Sequence, residues 1–242
     1  MVHFKNENFK VMHITDTQDS QFTSPDTVRF IAAALDSEKP DLVVFSGDTV
    51  KGYDPLLKIG DPAVNTAKTI RNILEPLRVL NTPFTFTFGN HDEIPKFRRA
   101  EQTLVYESYE NCVNGDMLSR CSSTDCMCLP VYKADKKTPA FALWLIDNCG
   151  RRDGSNGVNI GQLEWMENTD ALLREKNGGE EVPVTVFQHI PVYEMYEILK
   201  EVPKNTKGAL EGNRTHRGTY YTETDEMKAR GEYMRENIAC FG

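Results

Sequence analysis

The sequence predicts an α/β fold built on parallel strands, and three observations carry that prediction. Short apolar runs alternate with amphipathic helical segments from residue 9 onward. The resulting order, β-α-β-α-β, implies parallel strands joined by right-handed crossovers. Four of the predicted strands also run directly into carboxylate, amide or imidazole side chains, the position where open α/β sheets place ligands.

In chain order, "FKVMHIT" (9–15) reads as the first strand. "SPDTVRFIAAALDSEKP" follows as a helix, with Ser24 as N-cap, Pro25 at its first position and Val28, Ile31 and Leu35 on one face. "DLVVFS" (41–46) is an apolar run between turn signals, hence a buried strand. A second helix covers 62–78, with Val64, Ala67, Ile70, Leu74 and Leu77 at helical spacing; Pro76 should kink or end it. "FTFTF" (84–88) is the third strand. In the second half, "CLPVYKADKKTPAFALWLIDN" reads as a hairpin around "ADKKTP". "GQLEWMENTDALLREK" is a helix marked by Leu163, Met166 and Leu173, and "VPVTVFQ" a further buried strand. Residues 200–222 are expected as a polar loop, and 223–237 as a last helix leading into "IACFG". With no repeat or linker, residues 1–242 are expected to form a single domain.

Composition narrows the function. Net charge is 28 − 36 = −8, which argues against nonspecific binding to nucleic acid or an anionic membrane. It leaves a phosphate substrate open, because a bound metal reverses the local sign. No apolar run approaches the roughly 20 residues of a membrane span. Residues 1–10 lack the apolar stretch of a secretory signal, so a cytoplasmic location is expected. Four of the six cysteines, Cys112, Cys121, Cys126 and Cys128, share one stretch. Their spacing fits no zinc pattern, leaving a disulfide if the protein is exported or reduced thiols if it is not. The sequon at Asn213 decides nothing.

The strand ends carry the chemistry. "TDTQ" supplies Asp16 and Gln18, "SGDT" supplies Asp48, "GNHDE" supplies Asn90, His91, Asp92 and Glu93, and "VTVFQHIP" ends on His189. A lone Asp after a strand is usually a cap or turn residue, and a lone His a hydrogen-bonded imidazole. Four strand ends with oxygen and imidazole donors point instead to a shared site for divalent Mn, Fe or Zn.

The ordered set "D-x-Q … GD … GNHDE … QH" resembles the calcineurin-like metallophosphoesterase superfamily. "FGNHDE", "LWLIDNCG", "GQLEW" and "FQHIP" are most similar to its purple-acid-phosphatase-like branch. The resemblance implies a two-sheet β sandwich flanked by helices (αββα), with a dinuclear metal site at one edge. It implies that Asp16 binds the first metal, that Asp48 bridges both, and that Asn90 and His189 bind the second. His91 would be the acid facing the substrate, with Asp92 orienting it. The implied reaction is metal-dependent phosphate-ester hydrolysis: a hydroxide shared by two ions attacks phosphorus, and His91 protonates the leaving oxygen.

Two departures from the family pattern matter. Gln18 stands where most members have His, as it does in the family's manganese-dependent ADP-ribose/CDP-alcohol diphosphatases, and this favours manganese. Gln18 either coordinates directly or holds a ligand water. The family's final G-H-x-H is absent, and the chain is expected to be C-terminally truncated at Gly242. His216 is a poor substitute because it sits in a polar loop, and His3 and His13 read as structural. The rival expectation is a catalytically impaired scaffold for protein interaction, as in some retromer subunits; the presence of His91 with Asp92 weighs against it. Expected substrates are a phosphorylated small molecule or a phosphoprotein. Tyr53, Arg98, Arg151 and Arg152 are candidates for substrate contacts, although such residues are more often solvated surface.

Overall fold

A computed structural model describes residues 1–94, 97–121, 126–149, 157–212 and 216–229. The chain divides into two compact units, Met1–His189 and Ile190–Gly242.

The first unit contains two sheets. Strands β1 (Val11–Ile14), β2 (Leu42–Phe45) and β3 (Phe84–Phe86) form a parallel sheet in that order, with helices α1 (Pro25–Glu38) and α2 (Pro62–Val79) as crossovers. Ser24 caps α1 by accepting from the Asp26 amide, with Pro25 at the first turn, as the sequence predicts. Pro76 lies in the last turn of α2, and the helix runs three residues past it to Val79. Helix α3 (Arg99–Glu107) follows β3. The second sheet has the order β4 (Ser119–Arg120), β5 (Met127–Tyr132), β6 (Pro139–Ile146), β7 (Val184–Gln188). Its centre is the expected hairpin, β5 antiparallel to β6; β7 joins β6 in parallel through α4 (Ile160–Lys176).

Strand periodicity builds the layers. Val43, Phe45, Phe84 and Phe86 face Ile31 and Leu35 of α1 and Ile70, Ile73, Leu74 and Leu77 of α2. The alternate residues Leu42 and Val44 face Met127, Leu129, Val131, Leu143 and Leu145 of the second sheet. Ala142, Trp144 and Ile146 on that sheet's outer face meet Trp165 and Leu173 of α4. Side chains of period two thus serve both faces of each sheet. The unit is the expected αββα sandwich.

Three expectations are corrected. Val64 and Leu163 keep helical spacing, but they sit at the first turns of α2 and α4 and are exposed. Strand β7 is not buried: among the described residues it hydrogen-bonds to β6 alone, and Val184 and Val186 are exposed. Residues 200–222 are not one loop. In the second unit β8 (Leu199–Val202), β10 (Tyr220–Glu223) and β9 (Leu210–Glu211) form an antiparallel sheet, followed by α5 (Asp225–Ala229). The sequon, Arg151, Arg152, Cys240, the rest of the last helix and "IACFG" lie outside the described residues.

Among the described residues no helix is long and apolar enough to cross a membrane. Burial pushes the Cys112, Cys128 and Cys149 thiols up to about 12, which keeps them protonated and unreactive.

Candidate metal centre

Asp16 and Gln18 follow β1, Asp48 follows β2, Asn90 to Asp92 form a short 3-10 turn after β3, and His189 follows β7. Carboxylate oxygens of Asp16 and Asp48 and a ring nitrogen of His189 all lie within 4.8 Å of one another. Asp48 Oδ2 is the focus: His189 Nε2 is 3.2 Å away, Gln18 Nε2 3.5 Å and His91 Nε2 3.9 Å. Gln18 Nε2 also reaches Asp16 Oδ1 at 3.3 Å. Asn90 is half-buried at the start of the turn and joins no hydrogen bond with Asp16, Asp48 or His189.

Backbone geometry is unusual at these positions. Asp16, Gln18 and Asp48 have φ of 54°, 41° and 52°, a left-handed conformation that non-glycine residues adopt only at a cost. The motif glycines let two strand ends meet. A Cβ on Gly89 would fall 2.0 Å from Asp48 Oδ1, and one on Gly47 (φ +110°) would fall 2.3 Å from the Gly89 nitrogen. No side chain fits at either position.

Asp92 corrects an expectation. It does not orient the His91 ring. Its carboxylate is buried and accepts from the backbone amides of Asp48 (2.7 Å), Gly89 (2.8 Å) and Val50 (3.1 Å). It therefore ties the end of β2 to the end of β3. Burial pushes the Asp92 carboxyl up to about 6, the amide donors opposing and the Asp48 charge adding. The His91 amide in turn donates to Asp48 Oδ1 at 2.8 Å. What packs on the His91 ring is Tyr53, edge to face with ring centroids 4.6 Å apart.

His189 is set up as a ligand by its other nitrogen. Nδ1 donates to the Ser46 carbonyl at 3.2 Å, which leaves Nε2 aimed at Asp48 with its lone pair available when deprotonated. Burial alone would lower its pKa, but the hydrogen bond and charge of Asp48 outweigh that and hold it above the ordinary value.

The donor set suits a divalent cation. Two carboxylates and an imidazole converge, and among the described residues no lysine or arginine pairs with Asp16 or Asp48. Converging carboxylates without a cationic partner repel one another unless a metal or proton intervenes. The family model described as calcineurin-like phosphoesterase matches residues 9–228. The chain belongs to that family.

Its relatives agree. Phosphatase DCR2 of Saccharomyces cerevisiae is 33% identical, the match covering 78% of this chain and 33% of that protein. "Probable inactive purple acid phosphatase 28" of Arabidopsis thaliana is 24% identical, over 76% of this chain and 50% of its own. The chain spans half or less of the length of these curated relatives. A crystal structure of a dimetal phosphatase from Danio rerio superposes with a TM-score of 0.51 at 15% identity, covering 79% of this chain and 71% of its own.

Sequence reasoning misses part of this calcineurin-like site. Arg99, at the start of α3, is buried; it donates to the Gly89 carbonyl (2.9 Å) and the Cys149 carbonyl (3.1 Å) and pairs with Asp147. It thereby braces the turn carrying Asn90 and His91 against the end of β6. Asp147 lies in "LIDN", directly after a predicted strand, and that position is the signal the sequence offers for it. Arg98, the sequence candidate next to Arg99, is exposed. Tyr53 is at the site; its hydroxyl donates to Gln18 Oε1 at 2.9 Å. His13 contacts Ser46 Oγ and Phe187, and His3 lies near the Met1 carbonyl. In the second unit His216 stacks on Tyr196 and lies 2.6 Å from the Tyr221 hydroxyl. All three read as structural.

Proposed function

We propose that the chain hydrolyses phosphate esters with two divalent ions, manganese favoured, and with His91 as general acid. The observation that carries this reading is the convergence of His189, His91 and Gln18 on one oxygen of buried Asp48, with Asp16 beside it. Asp16 and Gln18 would hold the first ion, Asn90 and His189 the second, and Asp48 both. When bound, such ions lower the pKa of a water and offset the charge of a phosphoryl group.

The chain's own residues supply the rest. The Ser46 carbonyl holds His189 in the tautomer that frees Nε2. Asp92 holds the backbone of Asp48 and Gly89 in register, so the ligands are presented rigidly. His91, its ring partly exposed, is placed to give a proton to a leaving oxygen, a role typically worth about 100- to 10,000-fold. A phosphorylated small molecule or phosphoprotein fits the acidic chain better than nucleic acid or a membrane. A cytoplasmic setting completes the proposal, and the two compact units belong to one calcineurin-like domain, since the family match at 9–228 runs through both.

A second reading, a metal-binding scaffold without turnover, draws on the word "inactive" in the names of two Arabidopsis relatives. One assay separates the two: hydrolysis of para-nitrophenyl mono- and diesters and ADP-ribose with added Mn2+, for the wild type and Asp48→Asn. The enzyme reading expects turnover that Asp48→Asn removes together with bound metal. Metal binding without turnover favours the scaffold, and unchanged metal stoichiometry in Asp48→Asn removes Asp48 from the site.

A further inference from the structure

We propose that Tyr53 is a positioning residue that couples the two halves of the site, setting the Gln18 amide with its hydroxyl and the His91 ring with its own ring. The inference rests on the reading proposed above, its Gln18 arm on the metal site and the turnover readout of its His91 arm on hydrolysis.

Three observations support it. The Tyr53 hydroxyl donates to Gln18 Oε1 at 2.9 Å, while the other end of the same amide faces Asp16 and Asp48. The Tyr53 ring meets the His91 ring edge to face at 4.6 Å. The loop carrying Tyr53 is registered on His91 and on Asp19, the neighbour of Gln18. The Lys51 amide donates to the Asp19 carbonyl (2.9 Å), and a Cβ on Gly52 would fall 2.0 Å from the His91 carbonyl oxygen.

The chemistry of the pair explains why tyrosine suits this place. A primary amide has an acceptor end and a donor end, and a phenol both donates and accepts. Tyr53 can therefore anchor Gln18 in either orientation, donating to Oε1 or accepting from Nε2. Anchored through Nε2, Gln18 turns its carbonyl oxygen toward Asp16 and Asp48, the orientation that adds an oxygen donor for a hard divalent ion. A free glutamine side chain would lose rotamer entropy on binding metal; one already held by Tyr53 loses less. The tyrosine substitutes for the rigidity that an imidazole has by itself.

The test compares Tyr53→Phe, which keeps the ring, with Tyr53→Leu, which keeps neither ring nor hydroxyl, in the full chain. Mn2+ affinity is read by titration calorimetry, independently of turnover. Tyr53→Phe should weaken Mn2+ binding about threefold to tenfold, the range of one neutral hydrogen bond; a loss under threefold overturns the Gln18 arm. In a Gln18→Ala background the same substitution should have no further effect, because Tyr53 acts through Gln18. An equal loss in both backgrounds overturns the coupling. For the second arm, the His91 ring resonances should move in Tyr53→Leu and hold in Tyr53→Phe, and turnover should fall further in Tyr53→Leu. Resonances unmoved in Tyr53→Leu overturn the His91 arm. Shifted resonances in a protein without hydrolysis uphold Tyr53 as the ring's anchor while defeating the enzymatic reading.

Discussion

The ends of β2 and β3 and the end of β7 bring ligands to the same place by different means. Asp48 comes from a central strand buried on both faces, and its loop is held by the Asp92 carboxylate and by glycines that leave no room for a side chain. His189 comes from a strand whose valines are exposed, and its ring is held by the Ser46 carbonyl on one side and by Asp48 itself on the other. One half of the site is therefore welded into the sandwich core, and the other is docked onto it. The lesson is that Asp48, the residue on which the other donors converge, sits on the more rigid half.

The largest expected effect breaks the rigid half. Asp92→Ala leaves three buried amides without an acceptor, each costing about 1–3 kcal/mol. Urea unfolding should lose about 4 kcal/mol or more, and Mn2+ binding should fall with it; a loss below about 1 kcal/mol would deny Asp92 its structural role. His91→Ala should keep bound metal, because the proposed role of His91 is that of an acid and not of a ligand. It should lower turnover about 100-fold or more, most for poor leaving groups. Full activity would remove His91 from the chemistry.

The two halves should also titrate differently in a chelator. The folded Asp92 pKa of about 6 lies above its ordinary 3.8, so the folded state binds the proton more tightly. Stability then falls as pH rises from about 4 to about 6, by at most about 3 kcal/mol, and is flat above. His189 is raised above 6.5; its contribution is present below 6.5 and lost as pH rises through its folded pKa. The wild type minus His189→Gln difference in unfolding free energy should show only that second window. A difference that instead grows with pH reverses the sign and discounts the Asp48–His189 pair. The smallest effect is Val186→Lys on the exposed strand, expected within about 0.5 kcal/mol of wild type. A loss above about 2 kcal/mol would mean that β7 is as integral to the core as β2.

Most of the sandwich is legible in the chain's local patterns. Ser24 and Pro25 announce α1, and the apolar spacing from Ala67 to Leu77 announces α2, because capping and periodicity are local. Helix α3 escapes such a reading, since Arg99, Gln102 and Thr103 are buried polar residues that blur its apolar stripe. β7 reads as buried because a continuous apolar run cannot announce whether a further strand lies beside it. The "GD" and "GNHDE" motifs locate the site, but they misassign the role of Asp92. The resemblance puts Asp92 on the His91 ring, whereas the 3-10 turn aims the carboxylate at amides 42 and 44 residues away.

The sequence by itself determined which groups arrive at strand ends and the order in which the strands carry them, because both follow from short-range periodicity and turn chemistry. Only the tertiary structure decided which of those groups meet. The convergence on Asp48 Oδ2, the brace from Arg99 to Asp147 and the contact of Tyr53 with both Gln18 and His91 join residues far apart in the chain. Such contacts are set by strand pairing within one sheet and by the packing of the two sheets, and no local pattern encodes either distance.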